Sequence, residues 1–435
     1  MSKKAIVYGA GVSGNGAKKL LEKLGYEVTL VDDKIGVKKE EVIGKLKEYE
    51  LMVKSPGISF KNELVDMAVK EKIEIIDEIE LAARNSDYKI IAITGTNGKT
   101  TTTTKMTELL QYAGYKAVYA GNIGNSFSEL VCEGKDYDFV VLELSSYQLE
   151  AMPTFKPYIS IIINLTPDHL DRYGNLKDYY DAKFNLLDNQ DSGDYTIVNM
   201  DDIEVANRYE IKAVKAVKIF VSKDEKLFAD FYVKNGAIFY KENELMETSK
   251  LKLKGIHNLE NILFMTAAAK IIGVPFPKIM EFFYSTEGLE HRMEEFFSYG
   301  KVNFINDSKG TNLDATLKAI DGFENKVVLI CGGKDKKLNL TPLAKLIKEK
   351  TKQLFLIGET SDKLEELVLK EGYTAENIYN LKEIEKVVEK MKEMYSGEEE
   401  ETVVFSPAAS SFDQFKSFEE RGKIFKELVR KYFNN

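Results

Sequence analysis

The chain contains no tryptophan, two cysteines, three histidines and eight prolines among its 435 residues. Cys132 and Cys331 lie far apart with no C-x-x-C pair. That excludes a disulfide framework and a thiolate zinc site, and it fits a reducing compartment. No apolar run approaches the roughly 20 residues that a membrane helix needs. The start, MSKKAIVYGAG, enters an apolar strand with neither a long hydrophobic region nor a small-residue cleavage site. A soluble cytoplasmic protein with no membrane partner is the expectation. Net charge is −9, from 61 basic and 70 acidic residues, and no basic block interrupts it. A nucleic acid is therefore not an expected partner. Any anionic ligand must be held by local devices such as helix N-termini and a few placed lysines or arginines. Repeats of solenoid period and low-complexity linkers are also missing. The acidic run Glu398–Glu401 reads as a solvated turn.

What is present is a regular alternation. Short β-branched runs alternate with longer helical patterns almost throughout, which predicts an α/β protein with mainly parallel sheets. The length predicts more than one core. The first block carries strands at 5–8, 28–31 and 51–54 and closes in a polar stretch at 84–88. A second block opens at 89–93, with further strands at 139–142 and 159–164 and a helix from 257 to about 272. Between 205 and 254 the charge-broken runs KIFVS, LFADFYV and AIFYK predict antiparallel ribbons attached to that block. A linker is expected near 287–289. A third block follows, with strands at 302–305, 326–330, 354–357 and 402–405. Domains over 1–88, 89–289 and 290–435 are the expected organisation.

Two glycine-rich turns follow strands and precede helices. The first, Gly9-Ala10-Gly11-Val12-Ser13-Gly14, has the context of a dinucleotide fingerprint, and Asp32-Asp33 ends the next strand at the offset of a ribose-binding carboxylate. Gly11, Val12 and Ser13 open the helix whose N-terminus would attract a diphosphate. A tight turn without ligand is the alternative, and nothing here separates NAD from a UDP-sugar. The second turn, Gly95-Thr96-Asn97-Gly98-Lys99-Thr100, is more specific. Its backbone amides can wrap a triphosphate, Lys99 supplies a charge to the β and γ oxygens, and Thr100 offers a hydroxyl to Mg²⁺. It departs from the full P-loop spacing because Ile93 replaces the first glycine, yet a turn that merely capped a helix would not call for Lys then Thr. ATP is the expected ligand.

Such a loop needs an acidic metal ligand at the end of a neighbouring strand, and Glu143, closing the apolar run Phe139–Leu142, supplies one. His169 follows another apolar strand and can ligate a metal or simply cap a helix. His257 begins a helix. His291-Arg292 falls at the second linker, where the arginine can reach phosphates. Lys183 on its own reads as a solvated helix lysine.

Taken together, several motifs resemble the Mur ligase family. They are TGTNGKTTT from Thr94, GNIG from Gly121, ELSSYQLE from Glu143, DHLDRYG from Asp168 and HNLEN from His257. HR at His291-Arg292, NDSKGTN from Asn306, GGKDK from Gly332 and SPAASSFDQF from Ser406 continue the order, so the resemblance spans Gly9 to Phe418. It implies three α/β domains: a Rossmann-like N-terminal domain, a central P-loop domain and a Rossmann-like C-terminal domain. It also implies an ATP-dependent ligase of peptidoglycan synthesis that adds D-glutamate to UDP-N-acetylmuramoyl-L-alanine, acting as a monomer with two Mg²⁺ ions. Gly95 to Thr101 would hold the ATP phosphates, and Asn258, Asn261, Arg292 and Asp307 the nucleotide and its ribose. Thr100 and Glu143 would bind one metal. His169 and a carbamylated Lys183 would serve the other, since carbamylation turns an ammonium into a carboxylate-like anion. Asn122, Ser145 and Gln148 would line the muramoyl substrate, with the first turn on its uridine diphosphate. Lys309, Thr311, Lys336, Ser411, Phe412 and Phe418 would form the D-glutamate pocket, where paired lysines suit a dicarboxylate. Tyr147 and Gly310 are small departures, standing where Phe and Ala are common.

The implied chemistry begins with a carboxylate attacking the γ-phosphate and passes through an acyl phosphate to the amide. Closure of the third domain over the second would keep water from that intermediate. Within the family, an L-alanine-adding or polyglutamate-adding enzyme is the rival. Outside it stand an NAD-dependent oxidoreductase, which leaves the second turn unexplained, and a non-catalytic nucleotide-dependent scaffold.

Overall fold

A computed structural model describes residues 3–168, 170–253, 255–336 and 338–434. His169, the expected second-metal ligand, lies outside the described residues. The chain forms two compact units, 1–286 and 287–435.

The first unit holds two sheets. In one, β1 (Lys4–Tyr8), β2 (Glu27–Val31), β3 (Leu51–Lys54) and β4 (Glu74–Ile76) lie in the order β2-β1-β3-β4, all parallel. The other has nine strands: β5 (Lys89–Thr94), β6 (Ala117–Gly121), β7 (Phe139–Glu143), β8 (Ile159–Ile162), β9 (Tyr195–Asn199), β10 (Val217–Ser222), β11 (Phe231–Lys234), β12 (Ala237–Tyr240) and β13 (Asn243–Glu247). Their order is β13-β12-β11-β10-β9-β8-β5-β7-β6. The apolar run Ile90–Ile93 makes β5 a central strand buried on both faces, which is what an unbroken β-branched run favours in a parallel sheet. The segment expected to be antiparallel ribbons attached to this block extends its main sheet instead. There β10 pairs parallel with β9, and only β11–β13 form an antiparallel meander. The sequence misleads here because exposed charges alternate along both kinds of edge strand alike.

The 17-residue helix Ile256–Ile272 is apolar on nearly all sides and is sunk into the core of the nine-stranded sheet. Among the described residues no helix is long and apolar enough to cross a membrane. A second core is continuous between the two sheets of this unit. Leu20, Leu21, Ile79 and Ala82 from the first block pack in one cluster with Phe127, Leu130, Val140 and Leu142 from the second.

The second unit is built on β14 (Glu294–Tyr299), β15 (Val302–Asn306), β16 (Val327–Gly332), β17 (Thr351–Ile357), β18 (Ile378–Lys382) and β19 (Glu401–Phe405), ordered β14-β15-β19-β16-β17-β18. Only β14 runs antiparallel to its neighbour. Glu398, Glu399 and Glu400 are exposed as expected, but Glu401 is buried at the start of β19 and pairs with Lys352.

Candidate active site

The turn after β5 enters the helix Lys99–Tyr112. Gly95 and Gly98 hold φ values of +149° and +85°, a region that side chains rarely adopt. A Cβ on Gly98 would stand 2.7 Å from Asn261 Oδ1, and one on Gly95 3.1 Å from Ile163 Cβ. The turn is therefore wedged between the helix that carries Asn261 and the segment leaving β8. Asn164 on that segment staples it: its Oδ1 accepts from the Asn97 amide at 2.9 Å, and its carbonyl accepts from the Thr96 amide at 3.0 Å. Thr96 Oγ1 donates to the Thr166 carbonyl at 3.1 Å and lies 3.2 Å from the Tyr179 hydroxyl. Lys99 Nζ donates to the carbonyls of Gly95 and Thr96 at 2.9 and 2.8 Å, so its ammonium folds back onto the turn. Thr100 is half-buried and Thr101 buried in the first helical turn.

Glu143 ends β7 directly beside this turn, in register with Ile93 of β5 and Gly121 of β6. Its side chain is 2% exposed. Asn122 Nδ2 donates to Oε1 at 2.8 Å, while Oε2 is buried with no donor among the described residues. A buried carboxylate oxygen left without a partner is costly, and a divalent cation would complete it. Together with the Thr100 hydroxyl that the loop pattern offers, the donor set is all oxygen, which suits Mg²⁺.

Lys183 is not the solvated lysine its local sequence suggests. It sits near the C-terminal end of the helix Leu176–Phe184, 2% exposed, and its Nζ donates to the Gly95 carbonyl at 2.9 Å. Burial, reinforced by the Lys99 charge, drives its ammonium well below the usual lysine range, against the opposing pull of Asp168 and Glu143. A lysine shifted in this direction gives up its proton more readily, and the neutral amine is the form that reacts with carbon dioxide.

The other residues expected near the muramoyl substrate have defined local partners. Asn122 orients Glu143. Ser145 and Gln148 form a capping box at the helix Ser146–Leu149: the Ser145 amide donates to Gln148 Oε1 at 2.9 Å, and the Gln148 amide to Ser145 Oγ at 3.4 Å. In the first sheet, Gly11 and Val12 are exposed and Ser13 half-buried at the N-terminus of the helix Val12–Lys23. A Cβ on Gly14 would meet the Gly9 carbonyl at 1.8 Å, so the turn and helix approach as closely as a dinucleotide-type turn demands. Asp32 is committed locally, accepting from the amides of Ala10 and Lys34, both at 2.9 Å, and those bonds lower its carboxyl below the usual range. Asp33 follows it in the turn.

In the second unit, β15, β19 and β16 end side by side, Asn306 in register with Phe405 and Phe405 with Ile330. NDSKGTN, SPAASSF and GGKDK issue from those three ends, the position where parallel α/β sheets bind ligands. Lys336 Nζ donates to the Thr311 carbonyl at 3.1 Å, and Lys309 Nζ lies 3.7 Å from the centre of the Phe418 ring. Ser411 is buried and Phe412 is 71% exposed. Asp307 accepts from Ser406 Oγ at 2.7 Å, and burial raises its carboxyl to about 6. Arg292 follows His291 (φ +63°) and precedes Met293 (φ +43°), two strained non-glycine positions. Asn258 and Asn261 share the helix Ile256–Ile272, while the His257 side chain lies outside the description. Residues that sequence reasoning missed are Asn164, the staple of the turn, and Arg421. A strand-end asparagine gives a faint signal, and an arginine near the start of a helix gives none.

A glycine-rich turn heading a helix, with a buried acid at the end of the adjacent parallel strand, defines a P-loop nucleotide-binding α/β protein. The Mur ligase middle domain model matches residues 93–269. The chain is 50% identical over 436 residues to the UDP-N-acetylmuramoylalanine–D-glutamate ligase of Fusobacterium nucleatum, covering 99% of this chain and 100% of that one. It is 37% identical over 445 residues to the protein of the same name from Caldanaerobacter subterraneus, covering 98% of each. Among solved structures, the UDP-N-acetylmuramate-alanine ligase MurC of Thermotoga maritima superposes with a TM-score of 0.60 at 16% identity over 99% of this chain and all of that one. A pseudomurein peptide ligase type C from Methanothermus fervidus gives 0.61 at 17%, over 99% of each; both show the shared fold. The chain belongs to the Mur ligase family.

Proposed function

We propose that the chain is the ATP-dependent ligase that joins D-glutamate to UDP-N-acetylmuramoyl-L-alanine in peptidoglycan precursor synthesis, releasing ADP and phosphate. The observation that carries this reading is the 50% identity, end to end, to a ligase bearing that name. The arrangement around Lys99 and Glu143 supplies the chemistry. A carboxylate oxygen of the muramoyl-alanine substrate attacks the γ-phosphorus of ATP, ADP leaves, and an acyl phosphate forms. The D-glutamate amine then attacks the acyl carbon, phosphate departs from the tetrahedral intermediate, and the amine nitrogen gives up a proton. Two anions must meet in the first step. Lys99 offsets charge on the β and γ oxygens, and the N-terminus of the helix Lys99–Tyr112, whose first amides have no intrahelical partner, would take the phosphates. Magnesium, when bound, would neutralise developing phosphate charge; Glu143 Oε2 and Thr100 fit it, and a second ion would fall to His169 and Lys183. Lys183 as neutral amine would take up carbon dioxide, forming an N–C bond and releasing one proton, to become the carbamate.

On this reading residues 1–88 take the uridine diphosphate through the first glycine turn, Gly11 to Ser13 and Asp32-Asp33. Asn122, Ser145 and Gln148 face the muramoyl moiety. Residues 89–289 take ATP through Gly95 to Thr101, Asn258 and Asn261; the resemblance also gives Arg292 and Asp307 a nucleotide role. Residues 290–435 take D-glutamate through Lys309, Thr311, Lys336, Ser411, Phe412 and Phe418. The enzyme works in the cytoplasm as a monomer. The test is phosphate release from ATP with UDP-N-acetylmuramoyl-L-alanine and a panel of amino acids. Turnover with D-glutamate is expected. Turnover with L-alanine on the unextended muramate, and none with D-glutamate, would overturn the reading.

A further inference from the structure

Arg421 is among the largest fully buried side chains in the protein, 0% exposed on the second turn of the helix Phe418–Phe433. Its three nitrogens all donate to neutral oxygens: Nε to Ser308 Oγ at 3.0 Å, Nη2 to the Ser308 carbonyl at 2.8 Å, and Nη1 to the Ala409 carbonyl at 3.1 Å. No described carboxylate pairs with it. Asp307 and Asp413 act on it only at longer range, and both have other partners: Asp307 takes the Ser406 hydroxyl, and Asp413 accepts from the Glu359 amide at 3.2 Å. A buried guanidinium without a counter-ion is expensive, and a folded chain retains one where something else uses the charge.

The four segments that meet at this side chain are telling. Ser308 belongs to NDSKGTN, which carries Lys309 and Thr311, and Ala409 to SPAASSF, which carries Ser411 and Phe412. Gly333 of GGKDK, three residues before Lys336, lies so close that a Cβ there would stand 3.2 Å from Nη1. The fourth is the helix start itself: Ser308 Oγ donates in turn to the Phe418 carbonyl at 2.8 Å. Each segment bears one or two of the six residues assigned to D-glutamate.

We infer that Arg421 is a positioning and specificity-determining residue for the amino-acid substrate, tying these four segments together and supplying a buried positive charge that a dicarboxylate balances. The inference rests on the proposed D-glutamate pocket. Arg421 does not touch the substrate; it acts through Ser308, Ala409 and Gly333. Burial lowers the guanidinium only to about 10, so it stays charged throughout the working pH range.

The experiment is steady-state phosphate release by the full-length enzyme carrying Arg421→Met or Arg421→Lys, with thermal unfolding alongside. D-glutamine, the neutral isostere of D-glutamate, is measured as a competitor. In Arg421→Met the KM for D-glutamate is expected to rise about tenfold or more, with the KM values for ATP and the UDP-substrate nearly unchanged. Preference for D-glutamate over D-glutamine should collapse, a readout that loosened packing alone would not move. Arg421→Lys keeps the charge but not the three-way hydrogen bonding, so KM should rise while the preference survives. The inference is overturned if a folded Arg421→Met enzyme keeps both the KM and the preference, or if all three KM values rise together. Should Arg421→Met fail to fold, an Arg421→Lys enzyme with unchanged D-glutamate KM would overturn it alone. A wild-type enzyme inactive with D-glutamate would instead sink the proposed function.

Discussion

At the scale of single residues, the site is defined by groups whose surroundings contradict their ordinary behaviour. Glu143 is buried with one oxygen held by Asn122 and the other without a described partner; Lys183 is a lysine with almost no water around it. Both lie against the Gly95 turn, and a cation beside Glu143 would resolve the first. Replacing Glu143 by Gln keeps its shape and its bond to Asn122 while removing the charge. The expected outcome is a fall in turnover of ~100-fold or more, since a few kcal/mol of transition-state stabilisation go with the metal. Asn122→Ala leaves the acid in place but unoriented, and should instead weaken magnesium dependence by roughly 10–100-fold. Titrating magnesium against phosphate release in both variants separates these effects. Equal and small losses would mean that Glu143 serves only to pack the end of β7.

At the scale of elements, a strand, a turn and a helix make the phosphate site, and the turn's geometry is enforced from outside it. Gly98→Ala would introduce a Cβ at φ +85°, 2.7 Å from Asn261 Oδ1. The backbone strain alone is about 1–2 kcal/mol, and relief requires the turn to shift away from Asn261. ATP binding, followed by calorimetry, should weaken by roughly five- to thirtyfold for that energy. Adding Asn261→Ala removes the close contact but also an expected nucleotide ligand and leaves the positive φ, so it should not restore binding. This element was legible in the sequence, since glycine spacing and the Lys-Thr pair are local. So were most strands, whose β-branched runs declare themselves. The order of the strands was not legible, nor that β10 joins the main sheet, because pairing depends on contacts distant in sequence. Lys183 stood out only through the family resemblance, and Arg421 not at all, for a related reason. A charged residue inside a helix reads as solvated, and only the tertiary packing reveals that another segment covers it.

At the scale of the whole molecule, the first block is not an independent body but half of a shared core. Its junction with the nine-stranded sheet also contains charge. Glu78 is buried, accepting from the Ser128 amide through one oxygen while the other has no described partner. Burial raises its carboxyl from 4.5 to about 7. The folded state thus binds the proton more tightly than the unfolded chain. The stability this gives is fully present below pH 4.5 and is lost as pH rises through 7, a swing of up to ~3 kcal/mol. Glu78→Gln should flatten that slope in denaturant unfolding between pH 5 and pH 8. An unchanged slope would place the titrating group elsewhere.

The shared core also dictates what survives dissection. Cut off after residue 88, the first sheet would expose Leu20, Leu21, Ile79 and Ala82, which are almost wholly buried against Phe127, Leu130 and the strands behind them. It would also lose the Arg172 guanidinium, which donates to the Gly57 and Ile58 carbonyls at 3.1 and 3.3 Å. At roughly 25 cal/mol per Å² of newly wetted apolar surface, a four-stranded sheet of that size has little stability to spare. Residues 287–435, by contrast, enclose two apolar clusters of their own, one on each side of β15, β16 and β19. Expressed separately, 1–88 should show no cooperative thermal transition by circular dichroism, whereas 287–435 should melt cooperatively. A sharp transition in the 1–88 fragment would mean that the continuous core contributes packing but not the stability argued for it.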